Sequence, residues 1–334
     1  MSRSRDGYRI DGYLPADEDQ PICQLELVSD LGLPPEVDLR PNCSPVEDQG
    51  NVGSCTANSI VGALEYLQIA SGAPMTDLSR LFVYYNARRF SDCERVDCGA
   101  SMPHAMASLL AFGACPEVVW PYDEARWSLK PEDVCYQNTM RFEGLHYASV
   151  SPNDERKYVL ASGLPIIFGM RVPQRLLMVI GGETGHMFPP KDGNWEQAAS
   201  GHAMLIVGYS DTKHAWLVRN SWGTDYGIDG HVWIDYHVMD RYGFGPNAFW
   251  TVGPLDRNKF FRLAGASSQA LQDHIVRSAP PQTRDLVSAF RQEVGTDLAT
   301  HLDATRKGLR DRLRGPGVGG GYDRGPGVGG GYDD

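Results

Sequence analysis

The sequence predicts an α+β fold in which a helical first half precedes a β-rich second half, with a cleft between the two. Three observations carry this prediction. Apolar, helix-compatible runs lie between Ser54 and Gly113, and short runs rich in β-branched and aromatic residues follow between Leu164 and Tyr236. Apolar residues make up 42% of the 334 residues, which is enough to bury a sizeable core.

The first predicted helix spans about Ser54 to Ala70, and Gly72 stands just past its end. The preceding segment, "LPPEVDLRPNCSPVEDQGNVG", is too rich in proline to be helical. Two further helices are predicted near "LSRLFVYYNARRF" and "MPHAMASLLAFG". The first half of the chain is therefore mainly helical.

Four short runs in the second half are separated by Gly, Asp and Ser, as in an antiparallel sheet with tight turns. They read "LPIIFGMRV", "GHAMLIVGYS", "KHAWLVRNSWG" and "GHVWIDY". Together with the helices they form the central domain, for which we expect residues 34–253.

The flanking segments differ in character from this domain. Residues 1–33 are polar and turn-rich and predict an N-terminal arm. Residues 254–313 form a C-terminal extension that starts as a connector. Apolar residues recurring every four positions from Leu286 to Leu302 then predict an amphipathic helix over 283–313, an element for packing or oligomerisation. Residues 314–334 contain "RGPGVGGGYD" in tandem, a repeat too poor in apolar residues to fold.

Charge and composition exclude several classes of function. A net charge of -11 disfavours binding to nucleic acid or to anionic membranes. No apolar run is long enough to span a membrane. The N-terminus lacks the apolar core of a signal peptide, so we expect a cytoplasmic protein or one exported by a leaderless route. The seven cysteines form neither C-x-x-C nor a zinc-like spacing with histidine, so we expect no metal and no cofactor.

One set of residues has the chemistry of a thiol nucleophile. Cys55 stands at the start of the first predicted helix, where an imidazole and the helix N-terminus would lower its pKa. His202 begins one strand, and Asn220, at the end of the next, could orient its ring. Gln49 could donate a hydrogen bond to an oxyanion. Taken singly, each of these residues is more often structural; the prediction rests on the set.

The motifs that carry this set resemble those of the papain-like cysteine peptidases. The resemblance rests on "DQGNVGSC", "GHA" and "RNSWGTDYGIDG", and on separations of 55 − 49 = 6, 202 − 55 = 147 and 220 − 202 = 18 residues. It extends over about residues 34–253 and implies the papain-like two-lobe fold, with the active-site cleft between a helical and a β lobe. The short arm resembles that of a bacterial, xylellain-like subgroup, in which such an arm serves as a short pro-segment.

The resemblance also implies a role for each matched residue. Cys55 would be the nucleophile, His202 the general base and acid, Asn220 its orienting partner and Gln49 the oxyanion donor. Trp222 would shield the His202–Asn220 hydrogen bond. The remaining substrate-binding residues would contact the peptide backbone or line the main apolar pocket: Gly99, Ala100, Met102, Gly201, Ala203 and Ile167.

The sequence departs from the family pattern at several positions. Val52 and Thr56 replace a family cysteine and an aromatic residue, which removes one family disulfide. Gly201 replaces the Asp or Asn that often precedes the histidine, a change expected to alter the pH profile. The resemblance still allows a Cys93–Cys135 bridge.

The leading hypothesis is a cysteine peptidase that acts on peptide or protein substrates through a Cys-His-Asn set and a thioester acyl-enzyme. Its N-terminal arm would act as an inhibitor of the cleft. One alternative is a transglutaminase-like acyl transferase, and another is a catalytically silent binding protein on the same fold. Endopeptidase and exopeptidase action both stay open.

Overall fold

The computed structural model describes residues 9–16, 23–28, 32–142, 145–150, 155–173, 176, 185–198, 200–255, 261–265 and 267–290. The chain divides into two units, one ending at Val287 and the other beginning at Ser288. The second unit contributes only residues 288–290 to the described part, and these are helical.

The three predicted helices of the first half are confirmed. They are α1, Cys55–Ala70; α2, Arg80–Arg89; and α3, Met102–Phe112. Ser79 and Ser101 cap α2 and α3 by accepting hydrogen bonds from the backbone N–H groups three residues on. Further helices are α4, Asp133–Gln137; α5, Glu155–Ala161; α6, Tyr236–Tyr242; and α7, Ser268–Ser278.

Twelve strands occur among the described residues. They are β1, Tyr13–Leu14; β2, Cys23–Leu27; β3, Glu36–Asp38; β4, Ala100–Ser101; β5, His146–Ser149; β6, Ile166–Arg171; β7, His186–Met187; β8, Gly201–Ser210; β9, Ala215–Arg219; β10, His231–Asp235; β11, Phe249–Gly253; and β12, Phe261–Gly265. All four β-rich runs of the sequence became strands.

Ten of these strands form one sheet in the order β12-β2-β5-β11-β6-β8-β9-β10-β7, with β3 also paired to β8. The pairings are antiparallel, as predicted, except for β2 with β5 and β10 with β7. Strand β8 is buried along all ten residues. Helix α1 packs against it and against α2 and α3, and residues 55–66 of α1 are buried without a break. The amino end of α1 therefore lies inside the protein, beside the start of β8.

The N-terminal arm has two structured parts instead of one free extended segment. Strand β1 pairs in parallel with β4, with Tyr13 opposite Ala100. Strand β2 lies between β12 and β5. Cys23, at the start of β2, is buried. The sheet needs this strand, because β12 meets β5 only through it.

The C-terminal extension also departs from the sequence prediction. The expected connector contains β12 and α7, because β2 supplies β12 with a partner that no local pattern reveals. Residues 281–290 are helical, while the remainder of the predicted 283–313 helix and the 314–334 repeat lie outside the described residues. Across the described part of the chain, no helix combines the length and hydropathy needed to cross a membrane.

The cysteine pairing differs from the one that the resemblance allowed. Cys93 is bonded to Cys98, five residues on, and Cys135 is a buried free thiol beside Cys115. The chain turns back directly after α2, where the Cys93 N–H donates to the carbonyl of Arg88. This turn brings Cys98 to Cys93 and leaves Cys135 elsewhere in the helical lobe.

We predict that Leu25→Ala lowers the free energy of unfolding by about 2–5 kcal/mol, because Leu25 is 3% exposed in β2 and its loss leaves a cavity. Gln24→Ala, on the exposed face of the same strand, is the matched control. Urea denaturation of both variants measures the difference. Equal stability of the two variants would show that β2 is not part of the core.

Candidate active site

A tight turn places Cys55 at the first position of α1. The Val52 N–H donates to the carbonyl of Gln49 at 3.3 Å, and the Ser54 N–H donates to that of Val52 at 2.8 Å. Gly50 adopts a φ of 55°, a left-handed conformation that suits glycine. The thiol thus sits at a helix N-terminus, where unpaired N–H groups favour negative charge. Its Sγ accepts a hydrogen bond from the Ala203 N–H at 3.4 Å.

His202 lies at the start of β8, and Asn220 directly follows β9. Their side chains are in contact. The His202 Nε2 lies 2.7 Å from Asn220 Oδ1, which also accepts the Ser221 N–H at 2.8 Å. Because this atom accepts a backbone N–H, it is the amide oxygen, and an amide oxygen has no proton to donate. The ring must therefore donate to it, so Nε2 carries the proton and Nδ1 is the basic nitrogen. Nδ1 is buried without a hydrogen-bond partner. The arrangement fixes the tautomer that a general base needs.

Trp222 covers this pair. Its ring stacks on the His202 ring with centroids 4.6 Å apart and planes 19° apart, and Tyr226 packs edge-on against its other side. The His202–Asn220 hydrogen bond is consequently removed from water, where it is stronger than in solvent.

Gln49 is fully buried and its amide is held at both ends. Its Nε2 donates to the carbonyl of Val52 at 3.0 Å, and its Oε1 accepts from the Ser221 hydroxyl at 2.6 Å. The Val52 contact uses one of the two amide hydrogens. The side chain is therefore a fixed donor beside the turn that carries Cys55.

Three of the predicted substrate-binding residues, Gly99, Ala100 and Gly201, lie against arm residues 12 and 13. The Ala100 N–H donates to the carbonyl of Gly12 at 3.0 Å. A Cβ added to Gly99 would lie 2.5 Å from the Gly12 oxygen, and one added to Gly201 would lie 2.6 Å from the Tyr13 oxygen. Both glycines thus allow a close approach of the arm backbone. The others are buried: Met102 at the start of α3, Ala203 against Cys55, and Ile167 in β6.

Sequence reasoning missed the arm residues that fill the cleft. A Cβ added to Gly12 would lie 2.8 Å from Cys55 Sγ and 2.5 Å from the carbonyl oxygen of Gly53. The Tyr13 ring lies against the Cα of Gly169, where an added Cβ would come within 2.2 Å of it, and 5.3 Å from the Phe244 ring. The arm contains two Gly–Tyr pairs, Gly7–Tyr8 and Gly12–Tyr13, and no local pattern distinguishes the pair that reaches Cys55.

Burial neutralises both reactive groups. Desolvation raises the pKa of the Cys55 thiol to about 12, although the hydrogen bond from the Ala203 N–H acts to lower it. Desolvation lowers the pKa of His202 to about 4, although the hydrogen bond to Asn220 acts to raise it. At neutral pH the pair is therefore a thiol and a neutral imidazole, not a thiolate and an imidazolium.

A helical and a β lobe that bring a thiol at a helix N-terminus to an imidazole define the architecture of a cysteine peptidase. The comparison with known families agrees, because the profile described as papain family cysteine protease matches residues 33–250. The chain belongs to the papain family and is a cysteine peptidase.

Individual relatives point the same way. A peptidase C1-like protein of Acanthamoeba polyphaga mimivirus is 33% identical over 215 residues, which cover 61% of this chain and 68% of that protein. The crystal structure of xylellain, a cysteine protease from Xylella fastidiosa, aligns with a TM-score of 0.61 at 31% identity and covers 75% of this chain and 97% of that one. Digestive procathepsin L 3 of Tenebrio molitor shares the fold at 19% identity, with a TM-score of 0.53 over 74% of this chain and 75% of that one.

We predict that Cys55 of the intact protein reacts slowly with iodoacetamide near neutral pH, because only the thiolate reacts and burial holds the pKa of Cys55 at about 12. The rate should rise with pH through the alkaline range. Mass spectrometry of the peptide that contains Cys55 measures the rate apart from the other free thiols. Rapid labelling that is independent of pH between about 6 and 8 would mean that the intact protein holds a thiolate.

Proposed function

We propose that this chain hydrolyses peptide bonds with Cys55 as nucleophile and His202 as general base. The observation that carries the proposal is the fixed tautomer of His202, whose Nε2 is bound to Asn220 while the basic Nδ1 has no other partner. The thiol next to it, with Sγ held by the Ala203 N–H, is the proton donor that this nitrogen requires.

The reaction forms a thioester with Cys55 and then hydrolyses it. His202 Nδ1 takes the thiol proton, and Sγ attacks the scissile carbonyl carbon. The resulting oxyanion accepts hydrogen bonds from the Cys55 N–H and from the second amide hydrogen of Gln49. The imidazolium protonates the leaving amine, and the C–N bond breaks to give a thioester. Water, deprotonated by His202, then hydrolyses the thioester and restores the thiol.

Asn220 and Trp222 act through His202. The Asn220 oxygen can accept a hydrogen bond from Nε2 in both the neutral and the cationic form of the His202 ring. Asn220 therefore keeps the neutral ring in one tautomer while the ring gains and loses a proton at Nδ1. Trp222 excludes water from that bond, and its electron-rich face favours the imidazolium. An amide, not a carboxylate, at residue 220 favours the peptidase over a transglutaminase-like transferase with a Cys-His-Asp set.

The nucleophile is tested with Cys55→Ala. We expect this variant to lose turnover of a fluorogenic peptide and to keep the melting temperature of the wild type, because the buried methyl group fits the site. Cys43→Ala, which removes another free thiol, should keep the wild-type rate. Assays with and without an added primary amine separate hydrolysis from acyl transfer. Undiminished cleavage by Cys55→Ala would refute the role of Cys55, and amine incorporation faster than hydrolysis would favour the transferase.

We further propose that residues 9–16 inhibit the enzyme by occupying its cleft. Cys55 and His202 are both fully buried, and a substrate carbonyl cannot reach Sγ while Gly12 lies against it. The backbone bond from Ala100 to Gly12, and the close approaches of the arm backbone to Gly99 and Gly201, use positions that the family resemblance assigns to substrate.

Glycine at residue 12 is what lets the chain cross the nucleophile. Any side chain there would overlap backbone atoms of Gly53 as well as Cys55 Sγ, and backbone cannot move aside cheaply. Strand β2 stays bound in the sheet, so the inhibitor is tethered at its C-terminal side. Tethering raises its effective concentration to roughly the millimolar range. Opening then requires only residues 9–16 to leave.

Gly12→Ala should open the cleft and raise kcat/KM for a small peptide by about tenfold or more, since overpacking of about 1–3 kcal/mol acts only on the closed state. Gly32→Ala is the control, because no atom lies within 4 Å of the added methyl group. Deletion of residues 1–16 should activate as well, whereas deletion of 1–33 also removes β2 and should lower the melting temperature. Equal activity of wild type, Gly12→Ala and the 1–16 deletion would exclude inhibition by the arm.

A further inference from the structure

Asp97 is a shielded carboxylate on the wall of the cleft. Its side chain is 6% exposed, in the loop closed by the Cys93–Cys98 disulfide. The Gly53 N–H donates to Oδ1 at 3.0 Å and to Oδ2 at 3.3 Å, and the Tyr84 hydroxyl donates to Oδ1 at 2.5 Å. These donors fix the orientation of the carboxylate. Oδ2 is the oxygen turned toward the arm.

The guanidinium of Arg9 occupies this wall. Its Nη1 lies 3.0 Å from Asp97 Oδ2 and donates to the carbonyl of Asn51 at 3.3 Å, and its Nη2 donates to the Asp97 carbonyl at 3.0 Å. Its Nε pairs with Asp11, within the arm itself. The domain therefore offers one carboxylate oxygen and two carbonyl oxygens around a planar cation.

This group lies beside the nucleophile. A Cβ added to Gly53 would be 3.0 Å from Asp97 Oδ1 and 3.5 Å from the Cα of Gly12, and Gly12 itself packs on Cys55 Sγ. A chain that runs through the cleft past Cys55 therefore brings its side chains within reach of Asp97, as the arm does with Arg9.

We propose that Asp97 is a specificity-determining residue that binds an arginine side chain of the substrate close to the cleaved bond. The proposal rests on the proposed peptidase function and names its substrate class. When residues 9–16 leave, Arg9 and Asp11 leave together, and the carboxylate and two carbonyls lose their cation. Leaving a shielded charge without its partner is costly, so a substrate cation that replaces Arg9 is favoured.

The acceptor geometry selects arginine over lysine. Three oxygens spread around one planar group match the fork of a guanidinium, whereas an ammonium is a compact point charge that cannot reach all three in the same way. Arg88, on the far side of the Tyr84 ring, donates to the carbonyls of Glu94 and Val96 and stacks on that ring with Cζ 3.9 Å from its centroid. It is engaged there and leaves the place of Arg9 to the substrate.

The test uses the full chain carrying Gly12→Ala and internally quenched peptides in which arginine, lysine or the neutral isostere citrulline is scanned through the positions flanking the cleaved bond. At one position we expect kcat/KM for arginine to exceed that for citrulline by roughly tenfold to a hundredfold, the gain of a charge-assisted over a neutral hydrogen bond. Asp97→Asn, which keeps an acceptor for Gly53 and Tyr84, should remove that ratio by slowing only the arginine peptide. Asp92→Asn, exposed in the same region, should leave the ratio unchanged.

Equal rates for arginine and citrulline at every position, with cleavage intact, would overturn the Asp97 proposal and leave the peptidase proposal standing. Equal loss on both peptides in Asp97→Asn would mean that Asp97 only supports the Gly53 turn, which also overturns it. Fluorescence anisotropy with the Gly12→Ala, Cys55→Ala protein measures peptide binding without turnover. There, no preference for arginine peptides over citrulline peptides overturns the proposal even if the protein cleaves nothing.

Discussion

Hydrogen bonds between residues 47–49 and residues 221–223 hold the two halves of the candidate site together. The Gln49 N–H donates to the Ser221 carbonyl at 2.9 Å, the Gly223 N–H to the Glu47 carbonyl at 3.0 Å, and the Ser221 hydroxyl to Gln49 Oε1 at 2.6 Å. One segment leads into α1 and its thiol, and the other follows Asn220. Because these bonds cross between the lobes, the positions of Cys55, His202 and Gln49 depend on one another, and a shift of either lobe would disturb all three.

We propose that the arm acts on this assembly in two physical ways. It excludes substrate by contact, since Gly12 lies against Cys55 Sγ. It also removes water, which raises the pKa of the thiol and lowers that of the imidazole, so the charged pair is disfavoured. A thiolate and an imidazolium would need solvent or a polar substrate around them. The closed site is thus both occupied and chemically at rest.

The two structured parts of the arm differ in how firmly they are held. Strand β2 is bonded on both sides within the sheet and its apolar side chains are buried, so it belongs to the folded domain. Strand β1 has two residues and pairs only with β4. Other contacts that hold this segment come from the Tyr13 ring and the Arg9 guanidinium. A short paired segment beside a long one is the weaker of the two, which makes residues 9–16 the part that can leave while β2 keeps it near the cleft.

The sequence alone predicted the helical and β halves, a helix from about Ser54 to Ala70, and a candidate catalytic set of Gln49, Cys55, His202 and Asn220. Periodicity and turn residues are local, and a thiol, an imidazole and two amides have a chemistry that can be read without coordinates. The three-dimensional structure was needed to show that Gly12 lies against Cys55 Sγ, that Asp97 faces Arg9, that Cys93 bonds Cys98 and that β12 forms in an expected connector. Each of these depends on a partner distant in the chain or on a turn with no apolar pattern. A two-residue strand and a glycine without a side chain carry too little local information to reveal where the fold will place them.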